Sequence, residues 1–450
     1  MPGTSTKAKR KQDLDMHSTF VIVLASISMA IVALGILTQL VGSGLKYQVD
    51  PSIDGGADSA EFLATLEALT SARLNTHTAV QPLTNGDIYY PAALDAIRGA
   101  KKSVDLEAYI FQKGRVTDEF VQALTERARA GAKVNVVLDA VGSFSTPKKY
   151  FDKLIDAGGK VAWYHPLRLH NFFMYNNRTH RELLIVDGKV AFLGGMGIAD
   201  HWRYSKDAQH PQWRDTMFRV EGDAVSQLQG TFSENWLEST GTLLTGEAFF
   251  PLSATAQATG QENTGAMRAL VVRGTPDTGG ATHARILFQA LIASAQTSIH
   301  ITTPYFLPDK SMREELIRAK RDRGVEVTII TPGTRSDHML TRTSSRKLYG
   351  DVLKSGARIF EYQPAMIHAK ILIVDGRWSV VGSTNFDHRS FGLNDEVNLA
   401  VLDKPLASQL EAQFEKDVGQ SREMDYEQWK KRPLLDRVLE WFGWAISKQQ

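Results

Sequence analysis

Two histidines stand in phrases that are almost the same, "THRELLIVDG" at 179–188 and "IHAKILIVDG" at 367–376. Residues i and i+2 of a β-strand share a face, so His368 and Lys370 point together, as do His180 and Glu182. An imidazole can attack phosphorus or carry a proton, and an ammonium can neutralise phosphoryl oxygens. Ser383 and Asn385, in the "GSTN" that follows, are neutral donors. This is a phosphate-binding constellation. Asp187 and Asp375 fall an odd number of residues from their histidines, at Asp-Gly turns, and read as structural or supporting. The first copy has Gly195 in place of Ser383 and Gly197 in place of Asn385.

Each half also holds a later carboxylate, Asp215 in "QWRDTMFRVEG" and Glu396 in "LNDEVNLAVLD". A carboxylate behind an imidazole fixes its tautomer and stabilises its protonated form. Two histidines, each expected to be backed by the acid that follows it in its own half, would form one site where the halves pack. One histidine would attack phosphorus and become a phosphohistidine. The other would protonate the leaving alcohol and then activate the incoming alcohol or water.

Glu182 stands where the second copy has Lys370. A carboxylate facing a phosphodiester is repulsive, the more so in a low-dielectric cleft. It is therefore expected to turn aside to Arg181, Arg178 or Arg214, or to sit by His180 and raise its pKa. His180, Glu182 and His201 could be read as metal ligands. No His-Glu-x-x-His spacing supports this, and the second copy has no matching acid cluster, so neither metal nor cofactor is expected.

The elements that must position these residues are also written twice. "AALDAIRGAKKSVDLEAYIF" (92–111) parallels "ILFQALIASAQTSIHITTPYF" (286–306). Each is a helical apolar period running into a strand near Tyr109 or Tyr305. Residues 120–140 parallel 312–332, with a glycine closing each helix, and 150–166 parallel 348–364. Each half thus reads as three helix–strand units followed by the hairpin of the repeated phrase, an α/β arrangement with helices on the faces of a sheet.

The chain of 450 residues carries a net charge of +2 and no cysteine, which excludes disulfide and thiolate chemistry. A basic tail (1–18) precedes an uncharged apolar run (19–41) long enough to span a bilayer. Lysines and arginines on its N-terminal side place that end in the cytoplasm and the rest outside it. Residues 42–75 read as a spacer, 76–251 and 268–425 as the two halves, and 252–267 as a linker. "RLHNFFMYNN" (168–177) is either an aromatic lip or a packed loop. The tail 426–450 has apolar residues at helical spacing and suits a helix lying on lipid or docked on the core.

The pattern His-x-Lys, then Asp, then Gly-Ser-x-Asn at 368–385, altered at 180–197, resembles the phospholipase D superfamily. With "EAYIF", "WRDTMFRVEG" and the apolar N-terminal run, it is most similar to bacterial cardiolipin synthases. The resemblance covers roughly residues 76–420. It implies two α/β sandwich halves with one metal-free active site between them, with His180 and His368 as the catalytic pair, Lys370 and Asn385 on phosphate, and Asp187 and Asp375 as the motif aspartates. Glu182 and Gly197 depart from the pattern. The expected substrate is a phospholipid, phosphatidylglycerol first, at a bacterial cell membrane. Hydrolysis with water as acceptor is the alternative, ahead of a nuclease or an inactive lipid-binding homologue. No basic run with interleaved aromatics points to nucleic acid.

Overall fold

The computed structural model describes residues 19–30, 33–34, 47–49, 56–166, 176–252, 266–276 and 281–445. The strands of the first half are Leu74–Thr84 (β1), Ser103–Ala108 (β2), Lys133–Asp139 (β3), Lys160–Tyr164 (β4), Arg178–Thr179 (β5), Leu183–Val186 (β6), Val190–Gly194 (β7) and Thr216–Gly222 (β8). Those of the second half are Met267–Gly274 (β9), Ser298–Thr302 (β10), Phe306–Leu307 (β11), Glu326–Pro332 (β12), Arg358–Tyr362 (β13), Ile371–Val374 (β14), Trp378–Gly382 (β15), Phe386–Asp387 (β16), Asn394–Leu402 (β17) and Ser421–Glu423 (β18). One mixed sheet runs β4-β3-β2-β6-β7-β8-β1-β9-β17-β15-β14-β10-β12-β13-β18.

Going outward from the antiparallel β1–β9 contact, the two sides nearly mirror each other. β8, β7, β6, β2, β3 and β4 correspond to β17, β15, β14, β10, β12 and β13. Within each side the helix-linked strands are parallel, as right-handed crossovers require. Helices Gly86–Gly99, Arg115–Arg129, His283–Ser294, Lys310–Arg323 and Met339–Lys354 cover one face. Helices Ala224–Thr240 and Lys404–Val418 cover the other, over a core that joins both halves through Val220, Phe232, Val381 and Leu399. The helix–strand alternation expected from the repeats is present in both halves.

Both Asp-Gly turns have positive φ at both central residues (Asp187 54°, Gly188 61°, Asp375 55°, Gly376 57°), which matches the twist of the strands they join. The aspartates do more than turn. The Asp187 carboxylate accepts from the backbone N–H of Lys101, Lys102 and Ser103, and that of Asp375 from Gln296, Thr297 and Ser298. They lock each hairpin to the start of β2 or β10, at the opposite end of the motif strand from its histidine. Asp375 also accepts from the Thr297 hydroxyl at 2.9 Å, so both carboxylates are engaged at the turn end of the hairpin, away from the histidines.

One expectation changes, and the two terminal segments are described in part. Part of the presumed spacer is folded: helix Ala60–Thr70, capped by Ser59, buries Phe62, Leu63 and Leu66 in the core of the second half. The apolar 19–41 run is helical and exposed at 19–30, but its remainder lies largely outside the described residues. Among the described residues no helix is long and apolar enough to cross a membrane. Helix Leu434–Ala445 docks beside Met339–Lys354, with Glu440 buried against Arg432 and the Lys347 ammonium 3.8 Å from the Trp444 ring centre. Its outer Leu434, Val438, Leu439 and Trp441 remain exposed.

Candidate active site at the seam

Backbone pairing across the seam decides which acid meets which histidine. β5 lies parallel to Asn394–Asp395 of β17, and the His180 N–H donates to the Asp395 carbonyl at 2.9 Å. Reciprocally, the His368 N–H donates to the Arg214 carbonyl at 2.7 Å. Each histidine is therefore sewn one residue away from the other half's carboxylate. His180 Nδ1 lies 3.1 Å from Glu396, and His368 Nδ1 lies 3.0 Å from Asp215. The expected pairing within each half is thus replaced by exchange. Both carboxylates are fully buried. Donation from Nδ1 leaves each Nε2 for chemistry. Burial alone would raise the Asp215 pKa, but the hydrogen bond and charge of His368 hold it below its ordinary value.

Gly195 and Ser383 occupy equivalent positions and lie behind these acids rather than on a substrate phosphate. A Cβ on Gly195 would stand 2.9 Å from both Asp215 oxygens and from the His368 carbonyl, so glycine leaves room for the acid. The Trp202 indole and the Thr216 amide donate to Asp215 instead. The Ser383 hydroxyl donates to Glu396, and its carbonyl lies 3.1 Å from His180 Nδ1. The strand Trp378–Gly382 ends just before Ser383, so strand alternation does not govern residues 383–385. Asn385 lines the cleft, and its buried Oδ1 has no hydrogen-bond partner among the described residues.

The Lys370 ammonium lies 2.9 and 3.1 Å from the His368 ring nitrogens and donates to the His368 carbonyl at 2.7 Å. Burial lowers its pKa to about 8, against the pull of Asp215. Burial and the neighbouring Lys370 charge also lower the His368 pKa.

Glu182 turns aside, but not to an arginine. Its Oε1 accepts from the backbone N–H of Tyr109 and Ile110, both at 3.2 Å. Arg181 is taken by Glu234 and Asp395, Arg178 by Asp139, and Arg214 by Asp417. Burial pushes the Glu182 carboxyl well above the usual carboxylate range, with only partial opposition from the two amides. Gly197 completes the substitution: a Cβ there would stand 2.6 Å from the Ile110 carbonyl and 3.1 Å from Glu182 Oε1. The backbone at Ile110 thus leaves no space for the asparagine found in the second copy.

His180, His368 and Asn385 line one cleft of about 160 Å³. Its walls include Tyr109, Tyr305, Asp337 and Arg389, which the sequence reading did not place in a site. Tyr109 lies 5.2 Å from the His180 ring and Tyr305 6.5 Å from that of His368, as a pseudo-symmetric pair. Their place at the ends of duplicated strands was the available signal. Residues 167–175 of the aromatic loop lie outside the described residues. Among the described residues no three His, Asp or Glu side chains are grouped to hold a metal ion.

Comparison with known proteins agrees with this geometry. The family model described as "Cardiolipin synthase, PLD-like domain" matches twice, at residues 93–236 and 288–418. The chain is 34% identical over 376 residues to cardiolipin synthase 2 of Bacillus anthracis, covering 83% of this chain and 71% of that one. It is 35% identical over 389 residues to the cardiolipin synthase of Geobacillus sp. (strain WCH70), covering 86% and 75%. Phosphatidylserine synthase from Haemophilus influenzae Rd KW20 shares the fold, with a TM-score of 0.64 at 15% identity over 86% of this chain and 96% of that one. With more than half its length matched by the family and its relatives aligned over most of both chains, this chain belongs to the cardiolipin synthase family of phospholipase D-like proteins.

Proposed function

We propose that this phospholipase D-type phosphatidyltransferase moves a phosphatidyl group from one phospholipid to the alcohol of a second. Phosphatidylglycerol is donor and acceptor, and the products are cardiolipin and glycerol. The observation that carries this reading is the pair of imidazoles on one cleft, each with Nδ1 on a buried carboxylate.

His368 Nε2 bonds to phosphorus as the phosphorus–oxygen bond to the glycerol headgroup breaks, and His180 gives that oxygen a proton. The acceptor hydroxyl then loses its proton to His180 and attacks phosphorus, and the nitrogen–phosphorus bond breaks. His368 takes the nucleophilic role because its lowered pKa keeps it neutral and Lys370 stands beside it to hold the phosphoryl oxygens. Asn385 adds a neutral donor.

We assign the two halves to residues 76–251 and 268–425, with helix Ala60–Thr70 belonging to the second core. We place the cleft against the bilayer. The exposed Met339 and Leu340 flank the cleft-lining His338 and Thr341, and the exposed apolar residues of helix Leu434–Ala445 lie on the neighbouring helix. The 19–41 run would tether the chain with its folded part outside the cytoplasm.

Detergent-purified full-length protein, incubated with phosphatidylglycerol vesicles, should yield cardiolipin and glycerol in equal amounts by mass spectrometry. Phosphatidic acid as the sole lipid product would replace this reading with hydrolysis.

A further inference from the structure

If both substrates are phospholipids, as proposed above, two phosphodiester anions must enter one cleft. Lys370 is buried against His368 and serves one of them. The second needs a cation on the His180 side. Arg389 is held there in the cleft wall by Asn176: one terminal nitrogen donates to the Asn176 side-chain oxygen at 2.8 Å and the other to its carbonyl at 2.9 Å. Both of these partners are neutral, and no carboxylate lies within 4.0 Å of Arg389 among the described residues. Arg178, the other arginine on this wall, faces Asp139.

One further donor in this wall is unused. The Ser390 hydroxyl is buried, lines the cleft and lacks a hydrogen-bond partner among the described residues. The duplicated motif gives an internal control. Counting from each histidine, Arg389 corresponds to His201. The His201 ring is packed 4.2 and 4.1 Å from Trp202 and Trp213, beside His368, and burial lowers its pKa to about 4. The position is therefore cationic beside His180 and neutral beside His368.

We infer that Arg389, with Ser390, forms a second anion subsite that binds the phosphodiester of the acceptor lipid and presents its hydroxyl to His180. The cleft is then asymmetric, with donor phosphate on the Lys370 side and acceptor phosphate on the Arg389 side. A guanidinium suits a phosphodiester because its planar donors pair with two oxygens at once.

The test uses one donor and two acceptors. Full-length protein in phosphatidylglycerol vesicles is given labelled free glycerol, and two products are counted: cardiolipin, from the anionic acceptor, and labelled phosphatidylglycerol, from the uncharged one. Arg389→Gln should lower the ratio of cardiolipin to labelled phosphatidylglycerol at least ten-fold, and Arg389→Lys should restore much of it. Asn176→Ala, which removes one of the two hydrogen bonds that hold the guanidinium but keeps the guanidinium itself, should lower the ratio less and guards against a folding defect in the first variant. An unchanged ratio in Arg389→Gln, with both products falling together, overturns the subsite. Wild-type protein that exchanges glycerol but makes no cardiolipin overturns the two-lipid reading itself.

Discussion

The Nδ1 of His180 lies 3.1 Å from the carboxylate of Glu396, a residue more than two hundred positions away in the other half of the chain. His368 and Asp215 make the reciprocal contact at 3.0 Å. Neither half can orient its own imidazole, so the site exists only when the seam is formed. Asp215→Asn and Glu396→Gln should each lower turnover on the order of 1,000–10,000-fold, as when the acid behind a catalytic histidine becomes an amide. Pairing each with alanine at its own histidine should add little further loss, because the two groups act as a unit. Cardiolipin formation by the four single and two double variants measures this. Additive losses would show that the acids act elsewhere.

Much of this was legible in the sequence. The duplicated helices and strands, both hairpins and the two histidines follow from apolar periodicity and from a phrase written twice. The exchange of acids was not, because it depends on short pairings between Arg178–Thr179 and Asn394–Asp395 and between Arg214 and Ile367, none of which has a local pattern. Helix Ala60–Thr70 was missed because a Gly- and Asp-rich lead-in masks an amphipathic stretch that packs only on distant residues. Ser383 was read as a phosphate donor because its partner, Glu396, comes from a strand thirteen residues on that no local pattern pairs with it.

The two members of the altered motif pair should differ in weight. Lys370→Ala removes the ammonium beside His368 and should cost about 100–1,000-fold in kcat. Glu182→Gln keeps an oxygen for the amides of Tyr109 and Ile110 and changes a side chain that is not part of the cleft lining, so it should cost far less. Measured on one lipid substrate, a mild Lys370→Ala beside an inactive Glu182→Gln would reverse the assignment and make Glu182 a catalytic group.

The pH profile follows from the same residues. The nucleophile must be neutral, and the His368 pKa is below its ordinary value, so the acid limb of kcat/KM should fall below the usual histidine range of about 6.5. The ammonium of Lys370 must be charged, and its pKa is about 8, so activity should decline as pH rises through that value. Lys370→Arg keeps its charge throughout this range. Whatever activity that variant retains should lose the part of the alkaline limb that Lys370 sets, leaving the fall due to the proton His180 must carry, and a decline through about 8 that is unchanged in the variant would assign it to another group.

Asp187 and Asp375 separate stability from chemistry. Each carboxylate caps three consecutive backbone amides at the entrance to β2 or β10 and stands at the far end of the hairpin from its histidine. Asp187→Ala and Asp375→Ala leave those amides to water or unpaired, and each should cost about 1–3 kcal/mol of stability. Thermal unfolding reads that loss, while kcat of the folded fraction well below the transition should stay within a few-fold of wild type. The control is Asp215→Asn, which should do the opposite and remove turnover with little change in unfolding temperature. If Asp187→Ala or Asp375→Ala abolishes kcat while its unfolding curve is unchanged, the turn aspartates act in the chemistry and the division drawn between the two pairs of acids fails.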